Sequence, residues 1–187
     1  ISLGLYDRNH IDGLVKFLLK QDKNSYKYIS LLHCSSSYPL KNHEANLSEI
    51  VYLKNKYPKF KIGYSDHTIG IDASITALSL GAEVIEKHFT INKKYSKFRD
   101  HSLSADINDM RNIVAKSKII KDLLKKVDFK KTEQYKNIKL FRRFIVFNKI
   151  KKSKNKLNIK DLLFLRSRGT VSVKNLHTIL RKGQIKK

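Results

Sequence analysis

Short apolar runs alternate with amphipathic stretches along the first two thirds of the chain. The apolar runs predict β-strands, at 28–32, 60–64 and 82–85. The stretches between and before them predict helices, at about 7–19, 47–57 and 72–80. The segment 1–4 has the character of the last residues of an earlier strand. Strands that alternate with helices at about 25–30 residues per unit predict a parallel α/β sheet, and this spacing suits a (β/α)8 barrel.

Polar residues follow each predicted strand. The clusters lie at Ser2, 33–38, 65–68 and 86–90. Because the carboxyl ends of parallel strands converge on one rim, we expect these side chains to lie close together, where α/β enzymes build their sites. Solvated loops explain serine and aspartate at strand ends, but they explain two histidines and a glutamate less easily. The pattern therefore favours a functional site at this rim.

Length and composition limit the class of protein. The chain has 187 residues, of which 41% are hydrophobic, and this suffices for one domain with a small appendage. Cys34 is the single cysteine, so an intramolecular disulfide framework is excluded and a reducing, cytoplasmic location is expected. No run approaches the roughly 18 consecutive apolar residues of a membrane-spanning helix, so we expect no membrane partner.

The charge raises the question of a polyanionic partner. Lys and Arg number 40 against 16 Asp and Glu, which gives a formal net charge of +24. The lysines are spread through the chain, and the densest run, 149–156, is typical of a turn between strands. That run lacks the interleaved aromatic residues of single-strand binders and the spacing of helix-turn-helix or zinc-finger motifs. We therefore expect no specific nucleic acid partner.

Three segments together resemble a known family. They are Leu-His-Cys-Ser-Ser-Ser-Tyr-Pro at 32–39, Gly-Tyr-Ser-Asp-His-Thr at 63–68 and Glu-Lys-His-Phe-Thr at 86–90. Their order and spacing are similar to those of the sialic acid synthase (N-acetylneuraminate synthase-type) family. The resemblance continues through Phe-Arg-Asp-His at 98–101 and a helix at about 106–124. It also includes Arg-Arg-Phe-Ile-Val at 142–146, which resembles the start of the family's small antifreeze-like (SAF) domain.

The resemblance implies a domain organisation. Residues 1–127 would be the C-terminal half of a (β/α)8 TIM barrel, from the end of strand 5 to strand 8 and the last helix. Residues 128–137 would be a linker, and 138–187 a mixed β antifreeze-like (SAF) domain, itself incomplete. The barrel's first four strands would be absent, so we expect residues 1–187 alone to be inactive as a synthase. A full-length relative would form a domain-swapped homodimer.

The resemblance also implies a reaction and a metal. Members of this family join phosphoenolpyruvate to the aldehyde of N-acetylmannosamine or a related N-acyl amino sugar, giving a nine-carbon 2-keto acid and releasing phosphate. The aldehyde oxygen gains negative charge, which a divalent metal (Mn²⁺ or Mg²⁺) acting as a Lewis acid would stabilise. His67 and His88 match the family's two protein ligands for this ion, and Glu86 matches a carboxylate near the reacting centre.

Further residues match substrate contacts of the family. Those that match the cradle for the phosphate of phosphoenolpyruvate are Ser2, Ser35 and Ser36. Those that match positions near the substrate or the amino-sugar hydroxyls are Tyr38, Ser65 and Asp100. Arg166, with Arg168 as the second choice, is the candidate that would reach the partner subunit's sugar site. Asp66 is expected to orient its loop, and His33 and Cys34 are expected to be structural.

Three classes of function remain open from the sequence. The first is an amino-sugar acid synthase of sialic acid biosynthesis, a transferase. The second is a truncated, inactive remnant that binds a partner or ligand. The third, which only the net charge supports, is a basic nucleic-acid-binding protein. Within the first class, the sequence does not choose between N-acetylmannosamine and its bacterial diamino relatives.

Overall fold

The computed structural model describes residues 1–96, 100–147, 159–166, 171–172 and 176–177. The chain forms two compact units, Ile1–Lys125 and Lys126–Lys187. The first unit contains the elements that the apolar pattern predicts. Its helices are α1 Arg8–Gln21, α2 Ser48–Lys56, α3 Asp72–Ser79 and α4 Ile107–Leu123. Its strands are β1 Ser30–Cys34, β2 Lys61–Asp66 and β3 Val84–Lys87.

The three strands form one parallel sheet in the order β1-β2-β3. The prediction of a parallel α/β sheet is therefore confirmed. The first residues of the chain also lie along β1, because the backbone N–H of Leu3 donates to Leu32 O and that of Leu32 donates to Ile1 O, at 2.9 and 2.8 Å. The observed strands reach further into the polar clusters than predicted, with β1 ending at Cys34 and β2 ending at Asp66.

Helix caps and apolar packing hold the helices against one face of this sheet. Asp7 caps α1 by accepting from the backbone N–H of His10, and Asp106 caps α4 within a capping box. The buried core combines residues of α1, α2 and β2, among them Ile11, Val15, Ile50, Leu53, Ile62 and Tyr64. This core covers one face of the sheet, and the rim lies at the carboxyl ends of the three strands.

The second unit is built around an antiparallel sheet. Its strands, in the spatial order β5-β4-β6, are β4 Phe144–Phe147, β5 Leu162–Leu165 and β6 Val171–Ser172. Helices α5 (Glu133–Lys136) and α6 (Ile138–Phe141) precede the sheet. The segment 128–137, interpreted as a linker, thus contains a 3-10 helix at Phe129–Lys131 as well as α5. The division between the units falls after Lys125, two residues before the predicted end of the first domain.

Among the ranges that the structure describes, no helix has the length and apolar character needed to cross a membrane. α4 is the longest α-helix of the first unit, with 17 residues, and it carries charged residues throughout.

Two glycine-to-alanine substitutions, one in β2 and one in α1, test the packing of the sheet and its helix. A Cβ on Gly63 in β2 would lie 2.5 Å from both Leu32 Cδ2 and the backbone oxygen of Val84. Gly63→Ala should therefore lower the free energy of unfolding by about 1–3 kcal/mol, because a backbone oxygen cannot move aside cheaply. A Cβ on Gly13 in α1 would meet nothing within 4 Å, so Gly13→Ala should raise stability by about 0.5–1 kcal/mol. Urea unfolding of both variants checks the pair, and equal effects would contradict the packing described.

Candidate active site

The register of the sheet sorts the polar side chains at the strand ends into two faces. Ser65 pairs with both Cys34 and Glu86, and Asp66 pairs with Lys87. Because side chains alternate along a strand, Ser65 and Glu86 share one face while Asp66 and Lys87 share the other. The Ser65 hydroxyl donates to Glu86 Oε1 at 2.6 Å, as this placement requires. The histidine that follows each strand lies two residues beyond Ser65 and Glu86.

His67 and His88 meet at the rim. Their ring centroids are 5.4 Å apart and the ring planes are inclined by 65°. The ring of Tyr38 lies 4.1 Å from that of His67 and 5.8 Å from that of His88, measured between centroids. Partial burial raises the pKa of the Tyr38 phenol, and nearby Cys34, Asp100 and Glu86 raise it further. Tyr38 is therefore a neutral hydroxyl beside two imidazoles at physiological pH.

An acceptor faces the Nδ1 atom of each histidine. His67 Nδ1 lies 3.0 Å from the backbone oxygen of Ser35, and Cys34 Sγ is 3.9 Å from the same nitrogen. Since a carbonyl oxygen can only accept, His67 Nδ1 must carry the hydrogen, which leaves the lone pair on Nε2. His88 Nδ1 lies 3.5 Å from Asp100 Oδ2, so a carboxylate orients this ring in the same sense.

This arrangement fits a divalent metal held by two protein ligands. Metal-binding histidines commonly donate their other ring N–H to a carbonyl or carboxylate, and here the Nδ1 atoms of His67 and His88 face Ser35 O at 3.0 Å and Asp100 Oδ2 at 3.5 Å. Imidazole ligands favour a transition-metal ion over Mg²⁺. Within the described residues, no group of three or more His, Cys, Asp and Glu is clustered to hold a metal.

Glu86 does not form an ion pair with Lys87, its neighbour in the sequence. Lys87 lies on the opposite face, where its Nζ is 3.0 Å from Asp66 Oδ2. Glu86 is exposed and has Ser65 as its hydrogen-bond donor. Its carboxylate is accessible at the rim, on the same face as the histidine pair.

The three serines assigned to phosphate contact other groups. The Ser35 hydroxyl donates to Glu44 O at 3.4 Å, while the Ser35 carbonyl faces His67. Ser36 packs against Gly4, where an added Cβ would lie 2.3 Å from Ser36 Oγ. Ser2 forms a parallel bridge with Leu32, two residues before Cys34 on β1.

Direct contacts at the rim thus join only part of the predicted site. These contacts join Tyr38, His67, His88 and Asp100, and the Ser35 carbonyl faces His67, while Ser65 and Glu86 form a separate hydrogen-bonded pair. Arg166 is exposed and follows β5 in the second unit. Arg168 and the positions 98 and 99 of the Phe-Arg-Asp-His segment lie outside the described residues.

The structure also contains a polar pair that the sequence interpretation did not recognise. Asp66 and Lys87 form a buried ion pair on the face opposite to the histidines. The sequence interpretation gives Asp66 the role of orienting its loop and gives Lys87 no role. The two-residue alternation that separated Lys87 from Glu86 also placed it on the face of Asp66, so the signal was present in the register of β2 and β3.

A parallel α/β sheet that carries two oriented imidazoles and an accessible carboxylate at the carboxyl ends of its strands is the arrangement of an α/β enzyme. The chain belongs to the NeuB family, whose pattern matches residues 1–129. It is 37% identical over 153 residues to the N,N'-diacetyllegionaminic acid synthase of Campylobacter jejuni. The aligned region covers 80% of this chain and 44% of that protein.

One solved structure supports the same family, and a second shows the same fold. The crystal structure of N-acetylneuraminic acid (sialic acid) synthetase from Leptospira borgpetersenii, in complex with citrate, matches with a TM-score of 0.64 and 34% identity over 73% of this chain. The spore coat polysaccharide biosynthesis protein SpsE of Bacillus subtilis shares the fold over 96% of this chain, with a TM-score of 0.60 and 23% identity. The chain spans 46% and 54% of these two proteins, about half of their length.

The orientation of the histidines can be measured without any ligand. At about pH 8.5, where imidazole is neutral, long-range ¹H–¹⁵N NMR should show His67 as the Nδ1–H tautomer. His33 is the internal control, because its Nε2 lies 2.8 Å from Ala45 O and must carry the hydrogen instead. An Nε2–H tautomer at His67 would contradict the geometry at the rim.

Proposed function

We propose that this chain carries the metal-binding rim of an amino-sugar acid synthase. The reaction condenses phosphoenolpyruvate with N-acetylmannosamine or a related N-acyl amino sugar and releases phosphate. The observation that carries the proposal is the oriented pair His67 and His88, with Tyr38 and Glu86 beside it, in a chain of the NeuB family. The names of relatives include sialic, legionaminic and pseudaminic acid synthases, so they support the class of product and leave the sugar open.

His67 and His88 are the residues that would hold the divalent ion, each through the Nε2 lone pair. An ion bound there would act as a Lewis acid for the aldehyde oxygen of the sugar, which gains negative charge when the new C–C bond forms. Ser35 and Asp100 keep the two rings turned towards that position, through contacts of 3.0 and 3.5 Å with the Nδ1 atoms. The proposed ion is Mn²⁺ in preference to Mg²⁺, since the protein donors are nitrogens.

Glu86 is the proposed acid–base group. In the overall reaction, C3 of phosphoenolpyruvate bonds to the aldehyde carbon, water adds at C2, and phosphate leaves with cleavage of its C–O bond. Ser65 holds one carboxylate oxygen of Glu86 by donating at 2.6 Å, so the side chain keeps a defined direction. From this position Glu86 would orient the attacking water and accept its proton. Tyr38 and Asp100 are proposed to contact the hydroxyl groups of the amino sugar.

The domain assignment and the partner subunit belong to the same proposal. Residues 1–127 correspond to the C-terminal half of a (β/α)8 barrel, and 138–187 to an antifreeze-like domain. The fold shared with SpsE over 96% of the chain supports this assignment. In a domain-swapped homodimer, Arg166 would reach the N-acyl group of the sugar in the partner subunit. Ser2, Ser35 and Ser36 are proposed to approach the phosphate through backbone amides as well as hydroxyls.

A second candidate function is a non-catalytic protein that retains ligand or metal binding, because the contacts that orient His67 and His88 involve no substrate. Phosphate release from phosphoenolpyruvate, measured with Mn²⁺ and a panel of N-acyl amino sugars, separates the two candidates. Sugar-dependent release supports the synthase, whereas Mn²⁺ binding without release supports the second candidate.

Removing either imidazole tests the metal assignment. His67→Ala or His88→Ala should abolish Mn²⁺ binding in titrations followed by electron paramagnetic resonance. Where the protein is active, the rate should fall on the order of a thousandfold, because several kcal/mol of Lewis-acid stabilisation are lost. His43→Ala is the matched control, since His43 is exposed with its side chain 76% accessible. Unchanged Mn²⁺ affinity in both rim variants would refute the assignment.

A further inference from the structure

A buried ion pair lies on the face of the sheet opposite to the histidines. Lys87 Nζ is 3.0 Å from Asp66 Oδ2, and the two side chains are 1% and 0% exposed. Asp66 is the last residue of β2 and Lys87 the last residue of β3, and they are the last pair of the ladder between these strands. The next residue along each strand is a histidine of the rim, His67 after Asp66 and His88 after Lys87.

The hydrogen bonds around the pair enclose His67 on both sides. Asp66 Oδ1 accepts from the backbone N–H and the hydroxyl of Thr68, at 2.9 and 2.8 Å. Asp66 Oδ2 accepts from the Ser74 hydroxyl at 2.5 Å in addition to Lys87. Lys87 Nζ also donates to Thr68 O at 2.8 Å. The residues before and after His67 are therefore both bonded to Lys87, the residue that precedes His88.

Elsewhere, the backbones of the two histidines are held by separate loops. The His67 carbonyl accepts from Leu40 N at 2.9 Å, and the His88 carbonyl accepts from Ala105 N at 2.7 Å. These bonds hold each histidine against a different segment. They do not determine the distance between the two histidines, which depends on other contacts. Beyond the end of the ladder, Lys87 is the side chain whose bonds to Asp66 and Thr68 connect the two histidine-bearing segments.

Stability alone does not account for a pair of this kind. Transferring two charges from water into the protein costs free energy, and the attraction between the charges does little more than offset this cost. Apolar side chains of similar size are therefore often equally or more stabilising. The same pair can specify a geometry, because a fully hydrogen-bonded carboxylate and ammonium accept few alternative arrangements. Here the bonds between Asp66, Lys87 and Thr68 act on the sequence neighbours of the rim histidines, and the Ser74 hydroxyl connects Asp66 to α3.

We propose that Asp66 and Lys87 are positioning residues that set the separation and orientation of His67 and His88, and thereby the affinity of the rim for a divalent metal. They act from the opposite face and do not touch the ion or the substrate. The part that concerns affinity rests on the proposed function, in which the two histidines hold the metal.

The test separates positioning from stability with a double variant. Lys87→Met or Asp66→Asn alone should destabilise the protein, because each removes one partner of a buried network. Asp66→Asn/Lys87→Met removes both charges at nearly constant volume and should recover much of that stability in urea unfolding. If the pair positions the histidines, the double variant should still bind Mn²⁺ at least tenfold more weakly than the wild type. Recovery of both stability and Mn²⁺ affinity would overturn the proposal.

Two additions keep every outcome informative. Lys54→Met is the matched control, because Lys54 bonds to Gly81 O and Glu83 away from the rim, and its Mn²⁺ affinity should equal that of the wild type. If the double variant does not fold, Ser74→Ala, which removes one donor to Asp66, should weaken Mn²⁺ binding several-fold, and an unchanged affinity would overturn the proposal.

Metal-free NMR separates the failure of this inference from the failure of the proposed function. In the wild type, the rings of His67, His88 and Tyr38 should show mutual nuclear Overhauser effects, which should weaken or vanish in the double variant. A wild type that binds no Mn²⁺ would refute the metal site, and the ring contacts would still decide whether Asp66 and Lys87 position the histidines. Identical ring contacts in both proteins would overturn the proposal.

Discussion

Adjacent residues of a β-strand cannot share a face, and the rim of this protein is organised by that constraint. In β2 and β3 it divides two short motifs into two functional layers: Ser65 and Glu86 point to the side of the histidines, and Asp66 and Lys87 point to the side of the helices. A shift of the register by one residue would exchange the layers and turn the exposed Glu86 carboxylate towards the helices. The arrangement of the site therefore depends on the parallel pairing of β1, β2 and β3.

The packing of the helical face explains why the register is held. Ile62 and Tyr64 of β2 are fully buried against the helices, and a slip would expose both. His33 stacks on Tyr64 with 5.8 Å between the ring centroids, so this histidine belongs to the packed layer and not to the rim. On the other side, Gly63 leaves room for the backbone of β3 to approach. Apolar burial on one face thus fixes the positions of polar groups on the other.

The features of the fold and the site that depend on the periodicity of apolar residues could be predicted from the sequence. The order of strands and helices, their parallel pairing and the meeting of His67 with His88 follow from apolar runs that end in polar clusters. Contacts that depend on how a loop returns were not predictable. Ser35 matches the family's phosphate cradle, and in the structure its backbone carbonyl also faces His67, a contact that every residue type could make. Neither motif alone predicts the Asp66–Lys87 pair, because the prediction also requires the register between β2 and β3.

Metal binding and turnover make different demands on the rim. The groups that face the Nδ1 atoms of the two imidazoles, Ser35 and Asp100, both lie within the first unit, as do His67 and His88. Turnover also requires two substrates to be held within reacting distance, and small errors in that geometry cost large factors in rate. In the proposed function, affinity for Mn²⁺ and release of phosphate are therefore separable properties. The proposed role of Asp66 and Lys87 concerns the first directly and the second only through it.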